Sequence, residues 1–260
     1  DGAVTVTQGK LEGLSLTSVN FKGDDNYITI ADAAGLSFGD GSDDDPFSLS
    51  AWIRMDDASD FRIISKNDAG SNKEWKFTCA GDDKLYFYLR DESEGGHIGR
   101  KTAELTTYEN TWIHVTGTYD ATEASSGIKI YVNGVQADTA DHAGGSYIAM
   151  ESLDADVEIG KWSTNYANGK MRDVKMFDYE LSADQVASLY SGSYNVTPLH
   201  GWKLDDSIVG TSTATAVDSG TGTAANGTLT GFDATDGSDA DSDWSNGTLD
   251  LDSTLTIAAN

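Results

Sequence analysis

Three aspartates near residue 240 alternate with other residues at a spacing that suits a hard cation. Asp239, Asp241 and Asp243 are separated by single residues, so a turning loop could direct several carboxylate oxygens at one calcium ion. An EF-hand loop would have glycine where Trp244 stands and a bidentate glutamate further on, and both are missing. A flexible acidic linker is the alternative interpretation. A second acidic candidate is the turn that carries Asp40, Asp43, Asp44 and Asp45.

Asp154, Asp156 and Glu158 alternate along a predicted strand and are the candidates for catalysis. Glycoside hydrolysis uses a pair of carboxyl groups that flank the scissile bond. Same-face residues of a strand lie about 7 Å apart, which places the Cα atoms of Asp154 and Glu158 about 13 Å apart. The two carboxylates would therefore approach only by leaning inward. A solvated strand face explains the pattern more simply, and we predict that the chain is not an enzyme.

An aromatic stripe on one predicted strand is the candidate for sugar binding. In the segment 85–90, Leu85, Phe87 and Leu89 take one face and leave the intervening side chains on the other. Flat aromatic rings suit the C–H faces of sugars, while hydroxyl groups need donors and acceptors. Ordinary cross-strand packing is the alternative. With the aromatic and amide residues of the loop at 161–168, the predicted ligand-binding residues are Tyr86, Tyr88, Arg90, Trp162, Asn165 and Tyr166.

The elements that must position these residues are short strands. The 260 residues include 28 Gly but only 2 Pro, a composition that suits many strands joined by tight turns. Strict alternation of apolar residues through 47–53 is typical of a half-buried strand. Asn133-Gly134 predicts a two-residue hairpin turn. The segment 182–190 predicts the one short helix, with Ser182 as N-cap and Gln185 at the reciprocal position. We predict an all-β fold.

Charge and cysteine content exclude several classes of function. Lys and Arg total 17 against 43 Asp and Glu, for a formal charge of −26, which repels nucleic acid and anionic membrane surfaces. No apolar run approaches the ~20 residues that span a bilayer. Cys79 is the only cysteine, so no intrachain disulfide can form, and its place between strand residues indicates a buried hydrophobe.

Five motifs in a fixed order carry a family resemblance. Residues 18–190 resemble the laminin G-like modules of the concanavalin A-like superfamily, in the segments FKGDDNYI (21–28), FSLSAWI (47–53), TWIHV (111–115), IYVNG (130–134) and GKMRDVKMF (169–177). The resemblance implies a jelly-roll β-sandwich of two antiparallel sheets, with Trp52, Trp112 and Trp202 as packing residues. This fold hosts lectins, glycanases, adhesins and spacers, so it does not fix the function.

The resemblance also implies a calcium ion near the rim of the sandwich. The family often supplies an aspartate just before the Asp-Val pair of the last strand, where this sequence has Arg172. A cation beside a guanidinium is unfavourable. The remaining candidate ligands are Asp24, Asp25 and Asp173.

The end of the chain differs in composition from the rest. Residues 1–195 are predicted to form the laminin G-like sandwich, whereas 196–260 are rich in Gly, Ser, Thr and Asp. The segments HGWKLDD (200–206), DSG (218–220) and NGTLTG (226–231) look like the opening of another such module. We therefore expect 196–260 either to complete the sandwich in permuted order or to begin a second repeat.

These observations favour a non-catalytic glycan-binding or adhesion module that acts extracellularly, on a cell surface or a virion surface. Its expected partners are glycans or cell-surface polysaccharide, and neighbouring copies or repeats of the same protein, with no nucleic acid or membrane partner. Calcium is the expected cofactor. The alternatives are a structural or decorative domain of a phage tail or head appendage or of a repeat-bearing surface protein, and a divergent glycanase.

Overall fold

The computed structural model describes residues 4–5, 18–33, 35–68, 70–193, 195–204, 215–232, 244–245 and 256–257. Within these ranges the chain is built mainly from strands. In chain order they are β1 (Val4–Thr5), β2 (Ser18–Lys22), β3 (Tyr27–Ile30), β4 (Phe47–Met55), β5 (Arg62–Asn67), β6 (Lys73–Cys79), β7 (Lys84–Asp91), β8 (Gly96–Glu104), β9 (Ile113–Tyr119), β10 (Ile128–Val132), β11 (Val135–Gln136), β12 (Asp138–Asp141), β13 (Val157–Ile159), β14 (Lys161–Trp162), β15 (Asn165–Tyr166), β16 (Asn168–Phe177), β17 (His200–Trp202), β18 (Thr215–Ala216), β19 (Gly227–Thr230), β20 (Trp244–Ser245) and β21 (Thr256–Ile257). The helices are α1 (Ala183–Ser191) and two 3₁₀ turns, Thr106–Tyr108 and Ser125–Gly127.

Two large antiparallel sheets account for most of these strands. Sheet I has the order β11-β10-β9-β4-β16-β2-β20, and β17 pairs with the second half of β16. Sheet II has the order β12-β8-β7-β6-β5-β13-β3-β19-β18. Two small ribbons, β1–β21 and β14–β15, are separate. The predicted all-β jelly-roll sandwich is confirmed.

Alternating side chains of both sheets meet in one aromatic and aliphatic core. Phe47 of sheet I lies edge-on to Phe87 of sheet II, with ring centroids 5.4 Å apart, and both are fully buried. Burying one such side chain contributes about 1.5–3 kcal/mol. Gly117 permits this contact, because a Cβ there would lie 2.6 Å from the Phe87 ring. The outer faces of the sheets are thus left to polar and aromatic residues.

The hairpin turn and the helix predicted from short sequence motifs are both confirmed. Asn133 and Gly134 have φ values of 51° and 80°, the left-handed pair that a tight hairpin needs, and β10 pairs with β11 across them. The Ser182 hydroxyl accepts a hydrogen bond from the Gln185 N–H, and the Gln185 side chain accepts one from the Ser182 N–H. Helix α1 begins at Ala183, within one residue of the prediction, and packs on the outside of sheet I through Val186.

The described strands after residue 195 add to the two large sheets. β17 joins sheet I through β16, and β19 joins sheet II through β3. The buried Asp218 carboxylate ties this segment together, because it accepts hydrogen bonds from the N–H groups of Gly201, Gly220 and Ala225 and pairs with His200 at 2.7 Å. These bonds hold the pKa of Asp218 below its ordinary value, although burial opposes them. The cluster therefore ties the stretch 218–225 to β17, while the pairing of β17 with β16 and of β19 with β3 docks the segment on the sandwich.

Candidate functional site

The outer face of sheet II carries the predicted aromatic stripe. Leu85, Phe87 and Leu89 of β7 are fully buried in the core, so Tyr86 and Tyr88 point away from it. Burial raises the pKa of each tyrosine to about 12, and a hydrogen bond from the Tyr86 hydroxyl to Asp82 adds to the effect at Tyr86. Both phenols therefore stay protonated at neutral pH, and since the Tyr86 hydroxyl already donates to Asp82, Tyr88 offers the free donor and Tyr86 an acceptor.

Trp162 of the β14–β15 ribbon covers the neighbouring part of the same face. Its indole N–H donates to the Asn67 side chain at 3.0 Å, which fixes the orientation of the ring. The guanidinium of Arg62 lies 5.3 Å from the ring centroid. We call the surface formed by Tyr86, Tyr88 and Trp162 the aromatic platform.

Lys76 of β6 connects the two parts of the aromatic platform. It lies directly opposite Tyr88 in the β6–β7 register. Its Nζ is 3.0 Å from the Trp162 ring centroid and 5.3 Å from that of Tyr88. The residue is only 3% exposed, and burial, with the nearby charges of Arg62, Lys73 and Arg90, lowers the pKa of Lys76 to about 6. The sequence pattern did not predict that Lys76 belongs to this site, because its environment depends on strands that lie far apart in the sequence.

Two histidines close the other end of the aromatic platform. The rings of His97 and His142 have centroids 4.7 Å apart, and they lie edge-on to Tyr88 at 5.8 and 5.3 Å. Burial lowers the pKa of both, with Arg90 adding to the effect at His97. Lys101 contributes to the effect at His142, and its Nζ lies 5.4 Å from the Tyr86 ring centroid. Cationic groups thus surround the tyrosines.

The other predicted ligand residues are spread around this face. Arg90 lies opposite His97 and forms an ion pair with Glu92 at 3.2 Å. Asn165 pairs with Trp162 across the β14–β15 ribbon and so shares its face. Tyr166 lies on the opposite face of the ribbon, with its ring 6.1 Å from that of Tyr27. The structure therefore brings Tyr86, Tyr88 and Trp162 together but places Tyr166 elsewhere.

An acidic cavity adjoins the aromatic platform at the Trp162 ribbon. Its volume is ≈ 330 Å³, and its lining consists of Asn67, Asp68, Asp154, Ala155, Asp156, Glu158, Lys161 and Ser163. Burial raises the pKa of Glu158, although its ion pair with Lys161 at 2.7 Å opposes the shift. Asp156 accepts a hydrogen bond from the Asp32 N–H. The three acidic residues considered for catalysis thus line one cavity.

The predicted rim-calcium residues are not brought together. Asp24 and Asp25 are exposed in the turn after β2, beyond the point where Lys22 pairs with Asn168. Asp173 lies five residues further along β16 in the other direction, about 17 Å away along the strand. Within the described ranges, no three His, Cys, Asp or Glu side chains form a group that could hold a metal ion. Asp173 therefore does not share one calcium ion with Asp24 and Asp25.

The remaining acidic candidates have structural roles or lie outside the described residues. The buried Asp44 carboxylate accepts hydrogen bonds from the hydroxyls of Tyr119 and Tyr147 and from the Met150 N–H. Asp40 accepts from two N–H groups of its own turn. Asp239, Asp241 and Asp243 lie outside the residues that the structure describes, so calcium binding there stays a prediction.

Two of the tryptophans assigned to packing lie on an outer face. Trp202 is fully buried, as expected. Trp52 and Trp112 are half-buried on the outside of sheet I, where the Arg172 guanidinium lies 5.3 and 4.8 Å from their ring centroids. Arg172 thus lies over two indole rings at the position where the family often has a calcium ligand.

The two sheets, their shared core and helix α1 define a jelly-roll sandwich of the lectin type. Residues 22–187 match the family model Laminin_G_3, described as the concanavalin A-like lectin/glucanases superfamily, and the chain belongs to this family. The resemblance found in the sequence is confirmed. No curated protein matches the chain.

Solved structures share the fold at low sequence identity. A Bacteroides ovatus ATCC 8483 protein, provisionally assigned as carbohydrate-binding, is 20% identical with a TM-score of 0.52, over 82% of this chain and 57% of that one. The chain therefore spans little more than half the length of that protein. The botulinum neurotoxin serotype C1 binding domain is 14% identical with a TM-score of 0.48, over 77% of this chain and 50% of that one. Domains LG4-5 of the mouse laminin α1 chain are 11% identical with a TM-score of 0.44, over 62% of this chain and 40% of theirs.

The helices among the described residues are short. None of them is long and apolar enough to cross a membrane.

Proposed function

We propose that the chain is a non-catalytic glycan-binding and adhesion module that acts outside the cell, on a cell surface or a virion surface. The observation that carries this proposal is the aromatic platform, in which rings from β7 and β14 gather on one outer face of sheet II. Stacking rings with hydrogen-bond donors at their edges are what a pyranose needs, since its C–H face is apolar and its rim is polar.

The surroundings of the aromatic platform support the same function. The Tyr86 and Tyr88 hydroxyls, Arg90 and the Asn165 amide supply donors and acceptors around the rings. Membership of a superfamily that includes lectins, and a shared fold with a protein assigned to carbohydrate binding, agree with this proposal.

A glycan array with matched variants tests the proposal. The wild-type chain should bind a restricted set of saccharides, and Tyr88→Ala or Trp162→Ala should reduce that binding at least tenfold. Tyr190→Ala removes an exposed tyrosine from helix α1, on the other side of the sandwich, and should leave binding unchanged. If the wild-type chain binds no saccharide, the alternative of a structural or decorative domain on a virion or repeat-bearing surface protein replaces glycan binding.

We also propose that calcium assists binding through Asp239, Asp241 and Asp243. Alternating aspartates in a loop are suitable oxygen ligands for calcium. The same array, repeated with EDTA, should then show weaker binding that added calcium restores. Unchanged binding in EDTA, together with no calcium uptake by calorimetry, would reject this part of the proposal.

A divergent glycanase is the second candidate, and the acidic cavity is the observation that favours it. Glu158 has the raised pKa expected of a general acid, and two further carboxylates line the same space. Against it, Lys161 already pairs with Glu158 at 2.7 Å. Release of reducing sugar by the wild type, lost in Glu158→Gln, would establish this activity, whereas no release from any saccharide bound on the array supports the binding module.

A further inference from the structure

The two buried lysines of sheet II have opposite environments. Lys66 of β5 is fully buried and pairs with Glu74 at 2.7 Å and with Asp32 at 2.9 Å. Lys76, on the next strand, is 3% exposed, yet the described part of the chain offers it no carboxylate within ion-pair distance. Its neighbours are instead two aromatic rings.

The missing carboxylate is unusual in this sequence, since Asp and Glu outnumber Lys and Arg by 43 to 17. The acidic groups near the aromatic platform are engaged by other partners. Asp60 pairs with Arg62, Glu92 pairs with both Lys73 and Arg90, and Asp82 pairs with Lys84. Although the chain is rich in carboxylates, none of those described pairs with the buried amine of Lys76 on the outer face of sheet II.

Lys101 completes a pair of cations around the tyrosines. The strand register places Lys76 opposite Tyr88 on one side of β7 and Lys101 opposite Tyr86 on the other. The described residues supply no ion-pair partner for Lys101 either. Its Nζ lies 5.4 Å from the Tyr86 ring, as that of Lys76 lies 5.3 Å from the Tyr88 ring. The two amines thus bracket the surface on which a sugar would stack.

We propose that the aromatic platform binds an acidic saccharide, whose carboxylate or sulfate group lies against Lys76 and Lys101. This inference rests on the proposed glycan-binding function and names its ligand class. Burial without a counter-charge disfavours the ammonium form of Lys76, and an anion brought by the ligand would favour that form. The lowered pKa of Lys76 agrees with a site that lacks its counter-charge in the free protein. The rings bind the sugar while the lysines select its charge.

Pairs of saccharides that share a backbone and differ only in charge test this inference. Oligogalacturonate is compared with its fully methyl-esterified form, and κ-carrageenan oligosaccharide with its desulfated form, by calorimetry at pH 6. At least one charged member should bind ten or more times more tightly than its uncharged partner, and the responding pair identifies carboxylate or sulfate as the group recognised. Lys76→Met and Lys101→Met should each remove most of that difference.

Control variants separate this inference from the proposed function. Lys170→Met, on β16 of the other sheet, should leave both affinities unchanged, and Lys101→Arg should retain the preference for charge because it retains the cation. Lys101 is half-exposed, so its variants test the site even if Lys76→Met does not fold. Equal affinity for charged and uncharged members, unaffected by the lysine variants, would overturn the inference and leave glycan binding standing. If no saccharide binds in calorimetry or on the array, the proposed function itself fails.

Discussion

The Nζ atom of Lys76 lies 3.0 Å from the centroid of the Trp162 ring, although the two residues belong to strands far apart in the sequence. Charged lysine is attracted by the face of an indole ring, and this attraction grows when water is excluded. Burial acts in the opposite direction and lowers the pKa of Lys76 to about 6. The charge state of this one residue therefore depends on pH in the range where most binding assays are made.

Binding of an acidic saccharide should strengthen as the pH falls from 8 to 6. Lys76 is mostly neutral in the free protein at pH 8, and a bound anion favours its protonated form, so binding is accompanied by proton uptake. The Kd for the responding oligosaccharide should decrease by up to about tenfold per pH unit in this range. Uronate groups stay charged throughout, because a carboxyl pKa is about 3–4. Sulfate esters stay charged as well, because they are stronger acids than carboxyl groups.

The groups that face Lys76 define the controls for this pH dependence. Arg62, Lys73 and Arg90 contribute positive charge to its surroundings, and Tyr88 and Trp162 contribute rings. His97 and His142 also have lowered pKa values and lie beyond Tyr88, so they contribute a smaller part of the dependence at the acidic end. Lys76→Met should remove most of the slope, and the double variant His97→Gln with His142→Gln only its acidic part. A slope that Lys76→Met leaves intact would show that another group binds the proton.

Lys76→Met should stabilise the free protein, whereas Lys66→Met should destabilise it. The folded-state pKa of Lys76 is far below the ordinary value of 10.5, so the unfolded chain binds a proton that the folded chain does not. The protonation of Lys76 in the unfolded chain therefore lowers the free energy of unfolding as the pH falls from about 10.5 to 6. Lys76→Met removes this effect, so at pH 7 the free energy of unfolding should rise by on the order of 1 kcal/mol or more. Removing Lys66 leaves Glu74 buried without its cation and should cost about 3–5 kcal/mol. Urea denaturation of the two variants measures both effects. A lower free energy of unfolding in Lys76→Met would show that the buried amine does not destabilise the free protein.

The sequence predicted those parts of the structure that depend on near neighbours. Alternation through 47–53 identifies β4, but the strand is not half-buried as expected, because Ser48 and Ser50 on its outer face are buried too, Ser48 against Tyr179 and Leu181. The capping box at Ser182 identifies the start of α1 because its bonds span three residues. Strand β8 was missed, since Ile98 is the one large apolar residue in it, and no alternation of large apolar residues is visible.

The candidate site was predicted only in part, because its main contacts depend on strand register. The faces of Tyr86 and Tyr88 follow from β7 alone, but Lys76 meets Tyr88 only through the β6–β7 pairing. Trp162 reaches the same face from a ribbon that comes much later in the chain. The register of β2 on β16 likewise separates Asp24 from Asp173, which their positions in the sequence motifs did not reveal.

Residues 196–260 are proposed to complete the sandwich in permuted order, and removing them should destabilise it. The pairing of β17 with β16 and of β19 with β3 supports this proposal, as does the complete burial of Trp202. Deletion of 196–260 would expose the edge of β3 and part of the core, so the melting temperature should fall by more than about 10 °C. An unchanged melting temperature would instead favour a segment that begins another repeat.

Asp218→Ala tests how this segment is held together, because the Asp218 carboxylate joins the stretch 218–225 to β17. Its carboxylate accepts three backbone hydrogen bonds and pairs with His200. Losing these contacts leaves buried N–H groups without an acceptor, and the free energy of unfolding should decrease by about 2–4 kcal/mol. Asp178→Ala removes an exposed aspartate at the end of β16 and should change stability by less than about 0.5 kcal/mol. Equal effects of the two substitutions would show that Asp218 does not anchor the segment.

Acid should destabilise the fold through His114, which lies beneath Trp52 and Tyr190 on the outside of sheet I. The residue is 3% exposed, its Nδ1 has no hydrogen-bond partner, and burial, assisted by Lys175, lowers its pKa to about 3. Between pH 6.5 and 3 the unfolded chain therefore holds a proton that the folded chain does not. The free energy of unfolding should decrease by about 1.4 kcal/mol per unit of falling pH because of this histidine. His114→Phe removes the titrating group while keeping a ring against Trp52, so the difference in unfolding free energy between variant and wild type should grow in favour of the variant across this range. His97→Gln, which replaces a half-exposed histidine, should show a much smaller change. A His114→Phe difference that does not vary with pH would show that His114 has the same pKa in the folded and unfolded chains.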